Sequence, residues 1–324
     1  TTVRYASRTV TPILARVHTL QYIVYTVYLL SLSHMDYTAA RIAILVLLLP
    51  HPVSSARRPN FLLHFVDDLG YGDLGVTGHP TTHTPHIDEL ALKGRRLTNF
   101  YSGYPVCTAS RTALLTGRHP PRVGMPGVIN SLGVEGLPLS EITIADRLRS
   151  EFGYKTLTVG KWHQGQRPDY LPKARGFDAF YGLPYSVDDG IGYANASECG
   201  MPTKTCTKQK DRISKVSLGP EIPLPLIRQT PDSDEILQQP ADLIPLSQNM
   251  LAFVKNFTAL WTADGLPWFA YVAHPHVHTA TANVQQLGCF EQYSGCTFAG
   301  TSIRGGFGDA LAEVDWMVGE LVQH

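Results

Sequence analysis

The sequence predicts an α/β fold with a mostly parallel sheet flanked by helices on both faces. Short apolar runs at Phe61–Val66, Tyr154–Val159 and Trp268–Ala273 read as buried strands. Segments of helical period lie between and after them, and no internal repeat competes with that alternation. The polar clusters fall just past strands: Asp67-Asp68, Lys161 with His163, and His274, His276 and His278. In parallel α/β sheets, sites gather at the carboxyl ends of strands.

Taken in order, Phe61–Val66 ends in the turn Asp67-Asp68-Leu69-Gly70. Thr84-Pro85 caps a helix carrying Ile87, Leu90 and Ala91 and closed at Gly94. Ser140 is placed to cap a second helix, with Ile144, Leu148 and Phe152 on its apolar side and Gly153 as its stop. The strand from Tyr154 runs directly into Gly160-Lys161-Trp162-His163. Residues Asp188 to Pro245 are rich in Pro, Lys and polar residues and read as a long irregular excursion. Leu246, Met250, Phe253, Val254, Phe257 and Leu260 restore helical spacing, and Leu311, Val314, Val318 and Leu321 mark a last helix.

The 324 residues carry 27 Lys+Arg against 27 Asp+Glu, a balance that offers no basic stripe, so no nucleic-acid partner is expected. Near the N-terminus, the apolar runs Leu20–Leu32 and Ile42–Leu49 fall short of the ~20 residues of a membrane-spanning helix. Met35, the positive flank Arg41, the apolar core to Leu49, the breakers Pro50 and Pro52, and Ser54-Ser55-Ala56 spell a signal peptide. The chain therefore divides into an upstream segment 1–34, a signal peptide 35–56 and an α/β domain 57–324. The sequons at Asn195 and Asn256 agree with a secretory route, lysosomal or extracellular.

Five cysteines leave one over from any set of pairs. Cys199, Cys206, Cys289 and Cys296 allow three pairings, of which Cys199 with Cys206 and Cys289 with Cys296 close the shortest loops. Cys107 is then the odd thiol. It opens a helical pattern, where partial positive charge favours an anion, and Arg111 follows one turn on along the same face. Asp67-Asp68 alone reads as two turn residues; as a functional pair it calls for a hard divalent cation. The run His274-Pro275-His276-Val277-His278 suggests a zinc site by alternation, but no later motif supplies further ligands.

Together, Pro59-Asn60 through Asp67-Asp68-Leu69-Gly70-Tyr71-Gly72-Asp73-Leu74-Gly75, then Cys107–Arg111 with Leu115-Thr116-Gly117-Arg118, then Gly160–His163, carry a resemblance. The chain resembles the type I, formylglycine-dependent sulfatases, nearest the arylsulfatase A and N-acetylgalactosamine-6-sulfatase group. The likeness runs from about Arg58 onward and includes Gly305–Asp309. It implies an alkaline-phosphatase-like fold and hydrolysis of a small sulfated substrate: a sulfated sugar, a glycolipid or an aryl sulfate.

It also implies that the formylglycine-generating enzyme converts Cys107 to formylglycine, whose hydrated form attacks sulfur beside one calcium ion. Asp67, Asp68 and the modified Cys107 would ligate that ion. Arg111 would stabilise the nucleophile, Lys161 would bind sulfate with Ser186, and His163 would take the proton. His278 matches the histidine that contacts sulfate or protonates the leaving group, with His276 as runner-up.

Ala280 stands where a proline would follow the last histidine. Two larger departures stand out, the first being Ala109 in place of the usual proline of the oxidation motif. In the family the final helix leads to a strand ending in Asp-Asn, then a lysine and a C-terminal subdomain. The sequence ends at His324 before them, so the expectation is a chain truncated before the C-terminal part, with little activity of its own. A non-catalytic sulfatase-like binding protein and a phosphoester or phosphonate hydrolase of the same superfamily are the alternatives. The oligomeric state stays open.

Overall fold

The computed structural model describes residues 58–189, 222–243, 245–278, 297–298 and 300–324. The upstream segment, the signal peptide, the sequon at Asn195 and the cysteines at 199, 206, 289 and 296 lie outside the described residues. Among those described, no helix is long and apolar enough to cross a membrane.

Six strands form one sheet: β1 (Phe61–Val66), β2 (Lys155–Lys161), β3 (Ala179–Leu183), β4 (Leu226–Gln229), β5 (Asp234–Gln238) and β6 (Trp268–His274). Their order is β1-β6-β2-β3-β4-β5. The first four in that order are mutually parallel, and β4 and β5 extend the sheet antiparallel from β3. Among the described residues five α-helices accompany it: α1 (Pro85–Lys93), α2 (Cys107–Thr116), α3 (Ile144–Phe152), α4 (Leu246–Ala263) and α5 (Gly306–Gln323).

Period-two alternation builds a core on each side of the sheet. From β6, Ala270 and Val272 join Leu157, Val159, Tyr181 and Leu183 against Met250, Val254, Met317 and Leu321 of α4 and α5. Phe269, Tyr271 and Ala273 face the other way, with Phe177 and Phe180, onto Leu115 of α2 and Ala145 of α3. Strands buried on both faces give continuous apolar runs, which is why they were readable in the sequence. Truncating one large ring here, Phe269→Ala, would cost about 3–5 kcal/mol.

Two local expectations are corrected. The second helix is capped by Thr143 rather than Ser140: the Asp146 amide donates to Thr143 Oγ1 (3.0 Å) and the Thr143 amide to Asp146 Oδ2 (2.9 Å). That reciprocal pair, with a carboxylate at the third helical position, outcompetes a lone serine upstream. The stretch 188–245 is not wholly irregular, because β4 and β5 lie within it. β5 is exposed throughout and shows no apolar face to read.

The register aligns the carboxyl ends of the parallel strands. Val66 pairs with His274, Gly160 with Ala273 and Lys161 with Leu183. Gly160 has φ +93°, and a β-carbon there would collide with the Ala273 carbonyl oxygen of β6. The glycine thus permits the close strand contact that brings Lys161 to the rim.

Candidate active site

β1 delivers Asp67 to this rim, and its main chain is locked to the loop after β6. The Asp67 amide donates to the His276 carbonyl, and the Val277 amide donates to the Asp67 carbonyl, each at 2.7 Å. The buried Asp67 carboxylate stands 2.6 Å from Lys161 Nζ and 3.2 Å from Arg111 Nη2. Burial would raise its pKa, but Arg111 and Lys161 outweigh that and hold it down to about 2. Asp68 is solvent-exposed with φ +55°, and His278 Nε2 lies 3.7 Å from its Oδ2.

Cys107 is the first residue of α2, after Val106 as an extended N-cap, and is partly exposed. It is the free cysteine among the described residues. Four residues on, Arg111 is fully buried. Its Nη1 donates to the Lys161 carbonyl (2.9 Å) and to Tyr271 Oη (3.2 Å), and its guanidinium lies 5.4 Å from the Phe65 ring centroid. Burial opposes its charge, yet Tyr271, Asp67 and Cys107 raise its pKa above the ordinary value.

β2 contributes Lys161, whose Nζ donates to Ser186 Oγ at 2.8 Å; both residues are buried. Two residues later His163 adopts φ +54°, a conformation that a side-chain-bearing residue keeps only when its surroundings enforce it. Its Nε2 lies 2.7 Å from the Ile129 carbonyl, which can only accept, so Nε2 carries the proton and Nδ1 keeps its lone pair. Burial first, then Lys161 and Arg111, push its pKa well below the ordinary value, so the ring is neutral.

Of the three histidines at and after the end of β6, the rings of His274 and His276 stay in contact (centroids 6.1 Å), and each of the three has a different polar neighbour. His274 lies 2.9 Å from His64 Nδ1 through its Nε2, inside the sheet layer. His276 is buried with Nε2 3.1 Å from Glu313 Oε1 of α5. His278 stands beside Asp68. Strand alternation ends at His274, so the three rings do not converge as a continuous strand would place them.

The structure thus gathers Asp67, Arg111, Lys161 and Ser186 in direct contact, with His163 and Cys107 adjoining and His278 next to Asp68. Asn256 is exposed on α4, clear of this cluster. The sequence reading missed Tyr271, Gln164, Thr108, Ile129 and Glu313. Tyr271 could have been found as the polar tip in the inward alternation of β6. The Ile129 carbonyl has no sequence signal at all.

As a cation site the described donors are incomplete. Asp67 already faces two positive side chains, and Asp68 turns to solvent. Among the described residues, no group of three His, Cys, Asp or Glu side chains is arranged to hold a metal ion. Two carboxylates fall well short of the roughly 6–8 oxygens around calcium.

The family model for sulfatases matches residues 59–324. The chain is 40% identical to bovine (Bos taurus) arylsulfatase A over 281 residues, covering 86% of this chain and 50% of that protein. It is 34% identical to human (Homo sapiens) N-acetylgalactosamine-6-sulfatase over 277 residues, covering 82% of this chain and 46% of that protein. The crystal structure of a sulfatase from Pseudoalteromonas sp. superimposes with a TM-score of 0.63 at 30% identity, over 83% of this chain and 52% of that one. The chain spans about half the length of the curated relatives it matches.

Proposed function

Because the chain belongs to the sulfatase family, we propose that its protein hydrolyses sulfate esters, with Cys107 as the precursor of the nucleophile. The observation that carries this reading is the buried contact of Lys161 and Arg111 with one carboxylate, Ser186 accepting from Lys161, beside the N-terminus of α2. Two fixed cations and a hydroxyl donor suit a tetrahedral oxyanion held in a site of low dielectric.

In this proposal the formylglycine-generating enzyme converts Cys107 in the secretory pathway, on the way to a lysosomal or extracellular destination. Formylglycine would supply the attacking hydroxyl, and a calcium ion would neutralise sulfate charge. Asp67, Asp68 and the modified Cys107 would offer ligands to that ion. Lys161 binds a sulfate oxygen as a point charge, with Ser186 donating to a second oxygen once Lys161 turns from it to the substrate. Arg111 fixes the Lys161 main chain and Asp67 together, so the positive groups do not relax when the anion enters. His163, neutral and with Nδ1 free to accept, is in the protonation state a general base requires. His278, half-buried next to Asp68, would contact sulfate or protonate the leaving alcohol.

The substrate class is a small sulfated molecule: a sulfated sugar, glycolipid or aryl sulfate. A glycan on Asn256 fits its exposure, and its detection after N-glycosidase treatment would support the secretory route. The functional reading is tested by offering the full-length protein p-nitrophenyl sulfate and p-nitrophenyl phosphate. Turnover of the sulfate in preference to the phosphate supports it. Preference for the phosphate, or no turnover of either, overturns it and favours the phosphoester hydrolase or the non-catalytic binding protein respectively.

A further inference from the structure

We propose that Gln164 is a positioning residue that ties His163 to the first turn of the helix carrying Cys107; this rests on the sulfatase reading. Gln164 is fully buried. Its Nε2 donates to the Thr108 carbonyl at 2.7 Å and to the His163 carbonyl at 2.8 Å, and its Oε1 accepts from Thr112 Oγ1 at 2.8 Å. The amide has one chemically allowed orientation, because turning it over would set its oxygen against two carbonyl oxygens.

These bonds close a circuit. His163 Nε2 donates to the Ile129 carbonyl (2.7 Å), and the Ile129 amide donates to Thr108 Oγ1 (3.2 Å). Thr108 follows Cys107 in α2, and its carbonyl returns to Gln164. Gln164 is in turn anchored from behind, its own carbonyl accepting from the Leu137 amide at 2.9 Å. The His163 ring and the Cys107 turn are therefore linked on both sides. His163 holds its left-handed backbone (φ +54°) at the point where the Gln164 side chain grips its carbonyl. Gln164 touches no reacting atom in this arrangement. Its effect is to fix the distance and tautomer of His163 relative to residue 107, where a displacement of about 1 Å is enough to cost 10²-fold in rate.

The test is a double-mutant cycle in the full-length protein, combining Gln164→Met with His163→Ala and normalising kcat to the aldehyde content at position 107. Gln164→Met is expected to lower kcat about 10–100-fold with KM within about twofold. In the His163→Ala background it is expected to lower kcat by less than about twofold. Equal losses in the two backgrounds, or a loss explained by reduced aldehyde content, would overturn the proposal, since either marks a general structural effect. If Gln164→Met does not fold, Thr112→Val removes the hydroxyl that holds Oε1 and should give the same non-additive pattern at smaller size.

A second readout does not need sulfatase activity. The ring nitrogen resonances of His163, identified by their loss in His163→Ala, should show the Nε2-protonated tautomer and should shift in Gln164→Met. An unchanged ring overturns the positioning role. Absence of sulfate turnover in the parent protein, with the ring shift present, overturns the functional reading alone.

Discussion

Lys161 Nζ and Asp67 Oδ2 lie 2.6 Å apart with both side chains buried, and Arg111 closes on the same oxygen at 3.2 Å. One carboxylate, following β1, thereby holds Lys161 at the end of β2, a parallel strand that is not its neighbour because β6 lies between, together with Arg111 of α2. Removing either partner of a buried pair is far costlier than the pair's net worth, because the other is left uncompensated.

Lys161→Ala is therefore expected to reduce kcat/KM of the full-length protein on an aryl sulfate by about 10²–10³-fold. The stability loss should stay below about 3–5 kcal/mol because Arg111 still faces Asp67. Steady-state kinetics with urea denaturation of the same variant checks both. Activity within about threefold of the parent would contradict the sulfate-binding role.

Acid sensitivity follows from the buried histidines. Burial lowers the His64 pKa from 6.5 to about 4, and His274 is pushed in the same direction by burial and by His64. Between those pH values the unfolded chain binds protons that the folded one refuses, so stability falls as pH drops from 6.5 toward 4. His64 alone accounts for a loss on the order of 3 kcal/mol by pH 4. The Asp67 contribution acts in the same direction at lower pH, being fully present above 3.8 and lost as pH falls toward 2. Denaturant titrations at pH 7, 5.5 and 4.5 should show the decline, and His64→Gln should flatten it. A flat profile in the parent would be the contrary result.

His276 and Glu313 join the loop after β6 to α5, and the His276 carbonyl receives the Asp67 amide. Glu313→Gln keeps the size but weakens a charge-assisted contact, with an expected cost of about 1.5–3 kcal/mol. A shift in denaturation midpoint without a change in slope would confirm it. No shift would mean that the pair is energetically neutral.

Chelation should abolish aryl-sulfate turnover by the full-length protein, and added calcium should restore it, because Asp67 and Asp68 are proposed ligands of that ion. Undiminished turnover in excess chelator would remove the cation from the account.

The fold was legible where apolar side chains run along a strand, as at the partly buried edge strand Phe61–Val66 and the central strand Trp268–His274, and where glycine stops closed helices, as at Gly153. β4 was hidden because four residues in a Pro-rich stretch are too short to show a period, and β5 because an edge strand exposed throughout has no apolar alternation to mark it. At the site, Asp67, Cys107, Arg111, Lys161 and His163 were readable from local motifs. The Ile129 carbonyl, the Gln164 amide and Glu313 were not, because their roles arise from contacts between segments distant in the chain. A histidine triplet spaced like a metal site meets three different polar partners, His64, Glu313 and Asp68, because the strand ends at its first member.

The most direct test is the mass of the peptide containing Cys107 from the full-length protein secreted by eukaryotic cells. The account predicts that sulfur is replaced by the aldehyde oxygen of formylglycine, despite Ala109 in the motif. An unmodified thiol throughout the active preparation would contradict it.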